Sequence, residues 1–212
     1  MKATEITRHA LLHNAADVFA EKGFDRASVR EITGRAGANQ AAINYHFGGK
    51  DQLYREVLKL ALAALSEAAL LDEDSIDALS REEAVRLFIR QQVTPLLKHD
   101  QLGRYLRIFA WETVAPTRVY RDFIAGEKLP VLTHAERIVR RFLPASAPRS
   151  DITVATIWLT QQVAPFIRHY DALSQPPLNL KIDQHFIDKL AVDLARMAVA
   201  GLNARDDFRS EA

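Results

Sequence analysis

Cysteine is absent from the 212 residues, so disulfides, thiolate metal sites and cysteine nucleophiles are excluded outright. The absence suits a reducing compartment, and a soluble cytoplasmic protein is the expectation. Glycine and proline are scarce at eight each and aromatics make up 8%, a composition that points away from β-sandwiches and disordered chains. No run approaches the ~18 consecutive apolar residues of a membrane span. Met1 to Arg8 carries charges with no apolar signal core behind them. Charge of one sign is lacking too: 28 Lys and Arg stand against 27 Asp and Glu, so the molecule as a whole does not announce a nucleic-acid partner.

What is present is apolar material for a sizeable core, at 48% hydrophobic and 26% charged. By length the chain can hold one large domain or two smaller ones. The little net charge is distributed unevenly. Arg26, Arg30, Arg35 and Lys50 face only Glu31 across residues 26–50, a local basic patch compatible with DNA and equally with a solvated face.

The periodicity is helical almost throughout and predicts about nine helices with no convincing strand, an all-α fold. Leu12, Ala15, Ala16 and Phe19 form one amphipathic stripe, which should stop at Gly23 with Phe24 packing back. Ser28 with Glu31 and Ser80 with Glu83 have the spacing of capping boxes. Gly37 ends the second helix, and Asn39 is placed to cap a short third from about Gln40 to His46. A long pattern follows from Lys50 to about Leu71. Pro95 closes or kinks the helix begun at Ser80, Pro116 suits the first turn of another, and Pro130 interrupts it. Residues 144–149 read as a loop, after which Ser150 or Asp151 caps a helix reaching about Ala172 with Pro165 inside it. The last helix carries Phe186, Leu190, Leu194, Met197 and Gly201 at spacings of three to four.

Residues 28–50 have the form of a helix-turn-helix, in which two short helices cross at a fixed angle and the second enters the major groove. Gly37 supplies the turn, Ala36 is small where the helices meet, and Ile43 anchors the second helix while Val29 and Ile32 face the core. The exposed face then holds Gln40, Ala41, Asn44 and Tyr45. Gln and Asn amides can bond adenine bidentately, and Ala41 permits close approach. Tyr45, His46 and Lys50 suit phosphate contacts, as does Ser28 at a helix N-terminus.

The run Phe19-Ala20-Glu21-Lys22-Gly23-Phe24, then Ser28-Val29-Arg30-Glu31-Ile32, Ala36-Gly37, Ala42-Ile43-Asn44-Tyr45-His46-Phe47 and Lys50-Asp51-Gln52-Leu53, resembles the DNA-binding domain of the TetR family. The resemblance covers about the first quarter of the chain. It implies that Arg30 and Gln40 contact bases, that Tyr45, His46 and Lys50 contact phosphates, and that Asn44 lies on the groove side. Thr33, Gly34, Asn44 and Gly48-Gly49 depart from the usual family residues, which leaves the operator sequence open. Arg107-Ile108-Phe109-Ala110-Trp111-Glu112 before Pro116, and Thr160-Gln161-Gln162-Val163 before Phe166 and Arg168, are similar to the CecR-like subgroup.

The expected protein is therefore an N-terminal DNA-binding domain over residues 1–50 and a helical effector-binding and dimerisation domain over 51–212. It would be a ligand-responsive homodimeric repressor that binds a palindromic operator on double-stranded DNA and takes a small-molecule effector. The last two long helices form the expected interface, burying the Leu190, Leu194 and Met197 stripe in a four-helix bundle. Phe88, Gln92, Phe109, Trp111, Trp158, Gln162 and Phe166 are candidate pocket residues, though aromatics at helical spacing are more often core. Arg107 and Glu112 also fall in apolar stretches. His99, His134, His169 and His185 lack metal spacing, and no metal, cofactor or membrane partner is expected. An enzyme with a helical active site and a ligand carrier with a vestigial helix-turn-helix are the rival readings; no nucleophile constellation or phosphate loop supports the first.

Overall fold

The computed structural model describes residues 3–67, 73–97, 101–127 and 129–204, and every regular element among them is helical. The chain divides into two compact units: Met1–Glu67 with Asp100–Glu127, and Ala68–His99 with Lys128–Ala212.

The first unit is built on α1 (Ala3–Arg26), α2 (Val29–Arg35), α3 (Ala41–Phe47) and α4 (Lys50–Glu67), joined by α7 (Gln101–Glu112) and α8 (Arg118–Ile124) from later in the chain. The Leu12–Phe19 stripe of α1 is buried, together with Ile32, Ile43, Leu53, Tyr54, Val57, Tyr105, Ile108 and Phe123. Gly23 adopts φ +73° and kinks α1, and Phe24 returns to pack within 4.9 Å of the Tyr54 ring centroid. Phe19 meets the same tyrosine edge-on at 4.6 Å.

A carboxylate is buried inside this apolar cluster. Glu112, at the end of α7, accepts 2.6 Å and 2.9 Å bonds on one carboxylate oxygen from the Tyr54 and Thr117 hydroxyls. Its other oxygen accepts a 2.6 Å bond from the Thr117 backbone N–H. Thr117 caps α8 through its own hydroxyl. Glu112 thus faces neither solvent nor open space; it ties α4 to the start of α8. Burial, and then the carboxylate beside it, push the Tyr54 phenol far above its ordinary pKa, so it stays a donor.

The second unit contains α5 (Glu73–Ala78), α6 (Arg81–Val93) with the 3₁₀ turn Thr94–Leu97, α9 (Pro130–Arg140), α10 (Arg149–Thr160), α11 (Ala164–Arg168), α12 (Tyr170–Leu173) and α13 (Gln184–Asn203). Helix α6 packs on α13 and α9, and α9 on α10. Phe88, Ile89, Ile138, Leu159, Ile187 and Ala198 are among its buried apolar side chains. Arg141 donates to the carbonyls of Ile76 and Leu79 at 2.6 Å each, satisfying acceptors that α5 leaves unpaired.

Local chemistry was read correctly at several boundaries and missed at others. The Ser80–Glu83 capping box is complete, whereas at Ser28 only half forms: Ser28 accepts from the Glu31 N–H, but the Glu31 carboxylate is drawn away to Lys22 and Arg35. The helix placed over residues 150–172 is three. Pro165 lacks an N–H and crowds the preceding turn, so α10 ends at Thr160 and α11 restarts with the proline in its first turn. Neither Ser150 nor Asp151 caps α10, whose N-cap is Pro148. Pro116 precedes the Thr117 cap of α8 and lies outside the helix, and Pro130 opens α9 at its first turn. The expected extension of α4 towards Leu71 falls outside the described residues.

Replacing Tyr54 by Phe keeps the ring packing and deletes one charge-assisted bond to Glu112. The unfolding free energy in urea should fall by about 1.5–3 kcal/mol. Replacing the exposed Tyr45 the same way should leave it unchanged.

Candidate nucleic-acid interface

Helices α2 and α3 are joined by a turn that needs a left-handed residue. Gly37 provides it at φ +63°, and the Ala38 N–H donates back to the Thr33 carbonyl at 2.9 Å. Asn39 then accepts from the Ala42 N–H through its side chain at 2.9 Å, as a cap does. Gly48 closes α3 in the left-handed region, with its N–H on the Asn44 carbonyl. Between these stops, Ile43 and Phe47 are spaced one turn apart and both are buried. Their burial fixes the rotation of α3 about its axis. Gln40, Ala41, Asn44 and Tyr45 are therefore left exposed together, with Tyr45 78% accessible.

The remaining predicted contact residues lie around this face. Ser28 and Arg30 are exposed at the start of α2, and Ser28 is occupied as the N-cap of that helix. His46 is half-buried, its ring edge-on to Tyr45 at 4.9 Å. Lys50 is half-buried at the start of α4, its ammonium 4.3 Å from the Phe24 ring centroid and 3.5 Å from the Asp25 carbonyl. Desolvation holds its pKa below the ordinary lysine value.

The basic patch is narrower than its residue count. Arg35 makes two parallel 2.7 Å bonds to Glu21 and a third, of 2.8 Å, to Glu31. Lys22 holds the same Glu31 at 2.7 Å. Arg26 lies over the Trp111 ring at 5.2 Å and bonds the Lys22 carbonyl. Of the four cations, Arg30 alone is exposed without an ion pair or ring partner among the described residues. Glu21 and Lys22 were missed because their partners lie on the next helix, a relation no periodicity encodes. Arg8, which lies 5.0 Å from the Phe47 ring centroid, was missed for the same reason.

The candidate pocket residues do not form one group. Phe109 and Trp111 belong to the first unit, where Phe109 packs on the core cluster and the Trp111 indole donates to the Ala20 carbonyl at 3.0 Å. Phe88, Gln92, Trp158, Gln162 and Phe166 belong to the second. There Phe88 is fully buried, and the Gln92 and Gln162 amides each donate to the carbonyl four residues earlier. Phe166 is half-buried on α11, and Trp158 packs against Gly201, which has no side chain to obstruct it.

Residues 11–57 match the model of the bacterial regulatory proteins of the tetR family. Residues 81–202 match the C-terminal domain of the HTH-type transcriptional dual regulator CecR. The HTH-type transcriptional regulator RutR of Escherichia coli K12 is 23% identical over 212 residues, spanning 96% of this chain and 94% of that protein. Among solved structures, AibR in complex with isovaleryl coenzyme A and operator DNA superposes with TM-score 0.67 at 18% identity, over 90% of this chain and 97% of that one. A TetR-like regulator from Rhodococcus sp. RHA1 superposes with TM-score 0.63 at 17% identity, over 94% and 97%.

Gly37 has open space where a Cβ would go, so its substitution tests backbone strain alone. Gly37→Ala should lower stability to urea by about 1–2 kcal/mol, and Gly37→Asn by less, because Asn tolerates the left-handed region.

Proposed function

The chain belongs to the TetR family of bacterial transcriptional regulators, and we propose that it acts as a ligand-responsive homodimeric repressor on a palindromic operator. It is a DNA-binding regulator, not an enzyme. The exposed face of α3 carries the proposal: two buried anchors turn two amides and a methyl outward on a helix short enough to lie in a major groove. In this reading Arg30 and Gln40 contact base edges, with Asn44 and Ala41 on the groove side. Ser28, Tyr45, His46 and Lys50 hold phosphates and so set register. Residues 1–50 do this work, while 51–212 take the effector and the second subunit. The protein works where bacterial DNA is, in the cytoplasm; no described helix is long and apolar enough to cross a membrane.

Dimerisation is supported by the face that α10 and α13 leave uncovered. Val192 and Met197 on α13 are 64% and 55% exposed, and Val154, Ile157 and Trp158 on α10 are exposed as well. Large apolar side chains clustered on two helices of a soluble regulator mark an association surface. The stripe expected there differs from the one present. Leu190 and Leu194 are 9% and 5% exposed, because they belong to the α13 face that α6 covers; only Met197 of the expected set points outward. A twofold dimer carries two copies of α3, and for both to read DNA the operator needs two half-sites about one helical turn apart.

Effector control follows from linkage. A small molecule bound in the helical domain releases DNA only insofar as it prefers the conformation that DNA does not, and DNA must weaken its binding equally. AibR, solved with an acyl-coenzyme A and its operator, illustrates a protein of this fold that holds both. Phe88, Gln92, Trp158, Gln162 and Phe166 are the proposed ligand-site residues of the second unit, whereas the other two candidates, Phe109 and Trp111, are packed in the first.

Selection from random-sequence DNA should return a palindrome, and recovery of no common sequence overturns the reading. Gln40→Ala should cost about 1–3 kcal/mol on that operator and relax one base position. Lys50→Ala should weaken operator and random DNA alike and reduce the salt slope by about 1. A Val192→Glu, Met197→Glu variant should sediment as a monomer while keeping its helical circular dichroism.

A further inference from the structure

The sequence contains one histidine pair at the spacing that metal sites on helices use, and DNA binding gives it no role. His9 and His13 are one turn apart on α1, so their rings lie on the same side of the helix. Their Nε2 atoms share a 2.9 Å hydrogen bond, one ring donating to the other, and their ring centroids are 4.1 Å apart. His9 is exposed and His13 half-buried, so both nitrogens are within reach of solvent.

That separation has a coordination meaning. Two imidazole nitrogens about 2.0–2.1 Å from one ion and at a right angle to each other lie about 2.9 Å apart. Tetrahedral ligands at the same bond length would stand about 3.3 Å apart. A divalent ion that displaces the shared proton, with a small turn of both rings, would find the two nitrogens already at the spacing of neighbouring positions on a tetragonal or octahedral ion, the geometry of Cu(II) and Ni(II) with nitrogen ligands.

We propose that His9 and His13 form a two-imidazole clip that binds one divalent transition-metal ion of the Ni(II) or Cu(II) class on the outer face of α1.

The surroundings fit an ion held by two protein ligands with water in the other positions. No group of three or more potential metal-binding side chains occurs among the described residues. Asp17, one turn beyond His13 on α1, is committed to Arg104 in an ion pair, so it balances that cation and leaves the pair to the imidazoles. An ion bridging the two rings crosslinks consecutive turns of α1, whose inner face carries Leu11, Leu12, Ala15 and Phe19 into the core of the DNA-binding unit. Because the unfolded chain does not hold the rings in place, occupancy stabilises the folded unit by mass action.

Calorimetric titration of the full chain with NiCl2, paired with thermal unfolding with and without the metal, tests the clip. The expected result is one Ni(II) per chain and a raised melting temperature that EDTA reverses. His9→Gln and His13→Gln should each weaken binding about tenfold or more and abolish the shift, with helical circular dichroism retained. With Cu(II) in place of Ni(II), the paramagnetic resonance spectrum should show two equivalent nitrogen couplings in the wild type and one in either variant. A wild type that takes up no Ni(II), or variants that bind it as tightly as the wild type, overturns the proposal.

Discussion

Helices of seven residues do not persist alone in water, because nucleation costs more than so few hydrogen bonds return. Both α2 and α3 are that short, so the face that α3 presents exists only while Ile32, Ile43 and Phe47 are held against α1 and α4. The same burial fixes rotation. Ile43 and Phe47 cannot leave the core without taking Gln40, Ala41, Asn44 and Tyr45 out of alignment. The polar reading surface is thus a consequence of apolar packing, and α1, α4, α7 and α8 serve it by supplying the other side of that core.

Glu112 extends this dependence to segments distant in sequence. A carboxylate among buried apolar side chains is tolerated because three donors meet it, one from α4 and two from the cap of α8. The Tyr54 that donates to it also receives Phe19 and Phe24 on its ring. Helix α1, helix α4 and the α7–α8 corner therefore converge on one side chain. Removing its hydroxyl tests the polar half of that arrangement without disturbing the aromatic half.

The second unit shows how one helix divides its apolar residues between two tasks. Ile187, Leu190, Leu194 and Ala198 on α13 are covered by the unit's own helices, whereas Val192 and Met197 are not. Both sets are apolar and both fall on helical spacings. What separates them is which neighbours are present, and α6 lies on one side only. Gly201 belongs to the same economy of space: a Cβ there would stand 2.8 Å from the Trp158 ring, so its smallness lets α10 lie close to α13.

Much of this was legible in the residues. The break at Gly23, which kinks α1 and does not end it, the turn at Gly37, the caps at Ser28 and Ser80 and the anchor Ile43 follow from conformational preferences confined to a few neighbours, which any chain with those residues would express. The helical class follows from periodicity, and the family from five motifs kept in order. Prolines were less readable, since Pro116, Pro130 and Pro165 each permit a helix start, a break or an approach, and packing selects among them. Charge was least readable. Four cations across 26–50 read as a patch, yet Arg35, Arg26 and Lys50 are drawn to Glu21 and Glu31, to Trp111 and to Phe24. Local preference along the chain sets the helices, most of their boundaries and the helix-turn-helix. Which residues stay free to meet a partner was decided by tertiary structure, because an ion pair or a covered face joins residues far apart in the chain, and local preference carries no record of distance.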